Sequence, residues 1–158
     1  MSRKNKRAKR RVQFIPVWTF SQVQPALPYI ASVMRSLREH RLAALTHDRT
    51  AKRLAARPGR PDRATLIAHE DAGRQAREAD ERFHEALEEL HTLDIYCLDP
   101  VRGEALIPFA HEQQLAWFVF DLFQPSYVHS WRFHTDPLET RHPLTDAQKD
   151  LAPAPKVA

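Results

Sequence analysis

The sequence predicts an α+β fold: a long antiparallel helical hairpin with a small antiparallel β-sheet packed at its base. Three observations carry this. Apolar residues recur at three- and four-residue spacings on either side of a central turn, the mark of two helices with one buried stripe each. The turn itself, Arg57-Pro58-Gly59-Arg60-Pro61-Asp62, holds the residues that stop one helix and start another. Beyond residue 94 the pattern changes to short β-prone runs separated by turn residues.

The first helix opens at Thr19-Phe20-Ser21-Gln22, which fits a capping box, with Trp18 and Val23 at the staple positions. Pro25 and Pro28 follow. Each removes an intrahelical donor at a cost of roughly 3 kcal/mol in a helix interior, so a kink is expected there. Ile30, Val33, Met34, Leu37, Leu42 and Leu45 then make the buried stripe, and Pro58-Gly59 ends the arm. Asp62 is placed to cap the second helix. Its inward seam reads Ala72, Ala76, Ala79, Phe83, Leu87 and Leu90. The alanines, with Gly73 beside them, predict a close approach of the two helices, and Leu66 and Ile67 are expected to pack near the turn.

Charge divides between the arms. From Leu27 to Arg57 seven basic residues face the two acids Glu39 and Asp48; from Asp62 to Leu93 four arginines face nine acids. Antiparallel pairing is expected to lay these opposite charges side by side. Each exposed ion pair contributes only about 0–1 kcal/mol, so the pattern selects a partner more than it holds one.

After the hairpin, Ile95–Leu98 reads as a strand and Asp99–Gly103 as a turn. Ala105–Phe109 is the next strand, with Pro108 pointing to an edge or a bulge. Leu115–Phe123 is apolar on both alternating faces, which predicts a central strand covered on two sides. Tyr127–His134 closes an antiparallel meander of four strands over residues 94–135.

Taken together, these segments resemble the bacterial domain of unknown function 2203. The shared features are Trp18-Thr19 at the helix start, Leu27-Pro28 within it, and the charged hairpin. They continue with the Leu98-Asp99 turn closing at Gly103, Trp117-Phe118 in the aromatic strand, and Phe133-His134 ahead of Arg141-His142-Pro143-Leu144. The resemblance covers residues 17–144 in order. Pro25 departs from it, where the family has a helix former, as does Phe133, where Trp is expected. It implies the hairpin-and-meander architecture and brings no activity.

The chain of 158 residues is expected to form one domain, residues 17–144, between a basic arm (1–16) and a proline- and alanine-rich tail (145–158), both expected to be disordered. The arm carries Arg3, Lys4, Lys6, Arg7, Lys9, Arg10 and Arg11, which account for the whole positive balance of +4. Nucleic acid is one reading, because such side chains release counterions from phosphate; a solvated tail is the other. A single cysteine, Cys97, rules out an intrachain disulfide and fits a reducing, cytoplasmic setting. Three glycines leave no phosphate-cradling loop, and no apolar run reaches membrane-spanning length.

Two clusters bear on chemistry. Glu81-x-x-His84 and Glu88-x-x-His91 look like halves of a di-iron site, but such sites draw their pairs from different helices. Here Phe83, Leu87 and Leu90 claim the inward seam, so a solvated face is expected and no metal or cofactor is assigned. His134 near Asp136 could serve as a general base, yet no nucleophile stands at a recognisable turn beside it. Asp99, Asp121, Arg132, His134 and Arg141 are instead expected to form a structural polar cluster, with Arg141 and Asp99 tying the C-terminal segment to the Asp99 turn. Asp121, if buried, needs a partner such as Arg132, Arg141 or a backbone amide; otherwise it sits at a bulge facing water. The expected function is a non-enzymatic interaction or scaffold role. Its partner is another protein or a second copy as a homodimer, with nucleic-acid or ribosome association and a metal-dependent enzyme as alternatives.

Overall fold

The computed structural model of the protein describes residues 15–145. The basic residues Arg3 to Arg11 and the last residues of the tail lie outside that range. Helix α1 spans Phe20–Ala55 and helix α2 spans Arg63–Thr92. The capping box forms as read: Thr19 Oγ1 accepts from the Gln22 amide at 3.3 Å, and the Gln22 side chain accepts from the Thr19 amide at 3.0 Å. α1 runs without a break through Pro25 and Pro28. Both rings lie on the exposed side, where the carbonyls of Ser21 and Gln24 that lose their donors are open to water. At the turn, Asp62 accepts from the Thr65 amide at 2.8 Å. The bonds from Thr65 hold its carboxyl below the ordinary range.

The two arms pack lengthwise, but their contact is uneven. The fully buried large side chains of the hairpin, Ile30, Met34, Leu37 and Leu90, all sit toward its base. In the half near the turn only Ala44, Ala72 and Ala79 are buried. Leu66 and Ile67, expected to pack there, are 56% and 50% exposed. The reason is geometric: two helices alone shelter only one stripe of each, and no third element reaches the tip. Gly73 does not mark a close approach either; a Cβ there would meet only the Arg77 guanidinium, at 3.5 Å. Ala86 joins the seam in addition to the residues anticipated.

The sheet is an antiparallel meander in the order β1 (Tyr96–Asp99), β2 (Glu104–His111), β3 (Gln114–Asp121), β4 (Val128–Phe133), β5 (His142–Pro143). The first four strands match the reading of the sequence. The fifth is a two-residue addition paired through Trp131↔His142. One face packs on α1: Ile107, Phe109, Phe118, Phe120 and Trp131 share a core with Phe20, Val23, Leu27, Ile30 and Met34. Phe109 stacks on Phe118 with centroids 3.9 Å apart, and Phe20 meets Phe118 edge-on at 5.7 Å. The other face holds a smaller cluster of Leu106, Trp117 and Val119, flanked by Leu98 and Leu115, with no helical residue in it. The prediction of cover on two sides is therefore half right. Trp117 is buried by its sheet neighbours, Tyr96 edge-on at 5.5 Å and His134 through its indole N–H, and not by a second layer.

Pro108 is tolerated where β2 has outrun β1, whose pairing reaches only Leu106. The backbone N and C=O of one strand residue point to the same side, so the missing donor of Pro108 faces no strand. Its carbonyl accepts from the Trp18 amide at 2.7 Å. The β2–β3 connection is a two-residue loop, Glu112 (φ 50) and Gln113 (φ 63), in the left-handed conformations that a type I′ turn demands.

Candidate interaction surfaces

The five residues expected to form one polar cluster do not converge. Asp99 Oδ1 accepts from the Val101 and Arg102 amides, both at 3.0 Å, and so closes its own turn. Asp121 Oδ1 accepts from the Phe123 amide at 2.9 Å, next to the register shift between Val119 and Phe120. His134 Nδ1 accepts from the Trp117 indole at 3.1 Å. Arg132 is 5% exposed; it donates to the Asp136 carbonyl, and its Nε has no partner among the described residues. Arg141 donates to the Leu138 and Thr140 carbonyls at 2.7 and 2.8 Å, and the expected tie to Asp99 is not formed. Turn amides two or three residues away are reached by carboxylates without ordering any further chain, so local partners win over distant ones.

The C-terminal segment is fastened by a different pair. Asp136 Oδ2 accepts from the Phe133 amide at 2.9 Å and lies 2.8 Å from His142 Nε2. The Phe133 bond, then the bond to His142, hold the Asp136 carboxyl below its ordinary range. His142 lies against Trp131 at 4.6 Å between centroids, and His111 contacts the same indole at 4.7 Å. The sequence placed Asp136 with the wrong histidine. Among the described residues no serine, cysteine or tyrosine side chain hydrogen-bonds to His134 or His142, so the His142–Asp136 contact is a structural clasp. The Cys97 thiol is pushed up to about 11 by burial and by Asp99, so it is protonated at neutral pH.

On α2, Phe83 and Leu90 face the seam, while Glu81, Glu85 and Glu88 are exposed. His84 Nδ1 lies 2.8 Å from the Asp80 carbonyl of its own helix. Among the described residues no group of three or more histidine, cysteine or acidic side chains is placed to hold a metal.

The division of charge has an outcome that the sequence did not announce. Among the described residues no ion pair joins α1 to α2; Lys52–Asp48, Arg74–Asp71 and His84–Asp80 are each within one helix. The arginines of α1 turn elsewhere. Arg35 donates to the Tyr127 hydroxyl at 3.0 Å, and Arg38 donates to the Val101 carbonyl at 2.9 Å and lies over Phe123. Arg41 lies over the Phe83 ring. Across the arms, the Tyr29 hydroxyl donates to Glu89, whose bond raises the phenol pKa. The carboxylates of Glu81, Glu85 and Glu88 stand two residues beyond the buried Ala79, half-buried Phe83 and buried Ala86, about half a helical turn from the seam. They form an acidic outer edge, and among the described residues no hydrogen bond or ion pair engages them or Glu78.

The base of that edge lies beside the start of the described chain. Trp18 Nε1 donates to the Leu93 carbonyl at 3.0 Å, just past the end of α2. A second exposed patch, Val101 and Phe123 beside Arg38, lies at the turn end of the sheet. Comparison of the chain with family models, curated proteins and solved structures gives no match.

Proposed function

We propose that the protein is a non-enzymatic interaction or scaffold module that docks partners along its helical hairpin. The observation that carries this reading is the acidic edge of α2. Its carboxylates are exposed and unengaged, while the arginines that could have neutralised them are directed to the sheet and to aromatic rings. A line of like charges at helical spacing repels itself, and it supplies a field that steers a cationic partner. The test is crosslinking capture with the full chain and with Glu81→Gln/Glu85→Gln/Glu88→Gln. Partners lost from the variant support the reading. An unchanged capture profile, with a monomer in both samples, overturns it.

A second reading is nucleic-acid or ribosome association through Arg3, Lys4, Lys6, Arg7, Lys9, Arg10 and Arg11, favoured by the density of that block. It predicts salt-sensitive, sequence-tolerant binding that disappears when residues 1–11 are deleted. The resemblance to the domain of unknown function 2203 is part of the same proposal, for residues 17–144.

A further inference from the structure

We infer that the acidic edge of α2 is the docking surface for this chain's own basic arm, residues Arg3 to Arg11. The inference rests on reading that edge as a docking surface, and it names the occupant.

Charge complementarity is the first argument. Glu78, Glu81, Glu85 and Glu88 are exposed, spaced by three and four residues, and therefore form one line along the helix. The arm supplies the opposite sign at matching density. The second argument is position. The Trp18–Leu93 hydrogen bond anchors the chain just upstream of α1 against the C-terminal end of α2. Everything before residue 15 therefore starts at the base of the acidic line. Length is the third argument. Glu78 to Glu89 covers on the order of 17 Å of helix. An extended chain reaches up to about 3.3 Å per residue, so the stretch from Trp18 back to Arg3 spans the line with chain to spare. Tethering completes the case. Exposed pairs are individually weak, about 0–1 kcal/mol each, but a short tether holds the arm near the edge at roughly millimolar effective concentration. Several weak pairs made within one molecule then suffice.

The consequence is a latch. Arm residues held by α2 are withheld from any other polyanion, so the edge weakens binding of nucleic acid by the arm, and neutralising the edge strengthens it.

The test uses the full chain, 15N-labelled, with a spin label at Ala8→Cys attached at neutral pH, where Cys97 is protonated and half-buried. Expected is broadening of the Glu78–Glu89 amides at low salt. It should be lost at high salt and in Glu81→Gln/Glu85→Gln/Glu88→Gln, whose remaining amide spectrum stays that of the parent. The variant should also bind a random single-stranded oligonucleotide more tightly than the parent. Three outcomes overturn the latch. One is broadening confined to other surfaces. Another is broadening that appears only when spin-labelled, unlabelled-isotope protein is mixed with 15N protein, which would make a second copy the occupant. The third is oligonucleotide binding equal in parent and variant. If the latch fails while capture of a partner still depends on the three glutamates, the docking role of the edge stands and only its occupant changes.

Discussion

Truncating Leu37 and Leu66 separately would test where the hairpin gains its stability. Leu37 is fully buried at the base, among the side chains that α1 shares with the sheet, whereas Leu66 is 56% exposed near the turn. Leu37→Ala removes carbon atoms that are wholly out of water. At about 0.8 kcal/mol per buried CH₂, plus a cavity term because sheet and helix cannot both collapse inward, the expected loss is about 3 kcal/mol. Leu66→Ala removes atoms that are mostly wet already and leaves no cavity, so the expected change stays within about 0.5 kcal/mol. Urea denaturation followed by far-UV circular dichroism reads both, with an unchanged slope confirming that the transition itself is the same. Equal losses at the two positions would refute the reasoning. They would mean that the tip is covered in solution, and a dependence of the Leu66→Ala loss on protein concentration would identify a second copy as the cover.

Three further outcomes follow from particular geometries. Gly103 (φ +69) has no room for a side chain: a Cβ would stand 2.6 Å from Leu122 Cβ, so Gly103→Ala should cost at least about 2 kcal/mol, whereas Gly59→Ala (φ +90, open space) should cost about 1 kcal/mol in the same melts. Gln113 occupies a left-handed position in the two-residue β2–β3 loop, so Gln113→Gly should stabilise by about 1 kcal/mol; a loss of stability would refute the type I′ assignment. The Asp136 carboxyl is depressed in the folded chain by the Phe133 amide and His142, so its contribution is present above the ordinary carboxylate pKa and is lost as pH falls through the depressed value. The stability gap between the parent and Asp136→Asn should therefore be level near neutral pH and close below about pH 4; a gap that widens on acidification would show that the sign is wrong.

Much of the fold is written locally. Thr19 and Gln22 are three residues apart, as are Asp62 and Thr65, so both caps could be read from neighbouring residues alone. The seam on α2 and the apolar run of β3 are likewise periodic patterns within single segments. The β2–β3 loop was harder, because Glu112 and Gln113 carry none of the glycine or asparagine that ordinarily announces left-handed turn residues. β5 was missed for a related reason: two residues show no alternation, and their pairing depends on the Asp136–His142 clasp closing first.

By itself, then, the order of residues determined the two helices, their caps and connecting turn, the meander and the acidic character of α2. All of these are set by contacts within a few positions along the chain. Only the tertiary structure decided that Arg35, Arg38 and Arg41 would serve the sheet and an aromatic ring, that Leu66 and Ile67 would stay in water, and that the glutamates of α2 would form an unpaired edge. The physical reason is that a charged or apolar side chain takes whichever partner lies within reach, and reach is fixed by where the third element stops. The sheet covers the base of the hairpin and leaves its tip and outer edge to solvent.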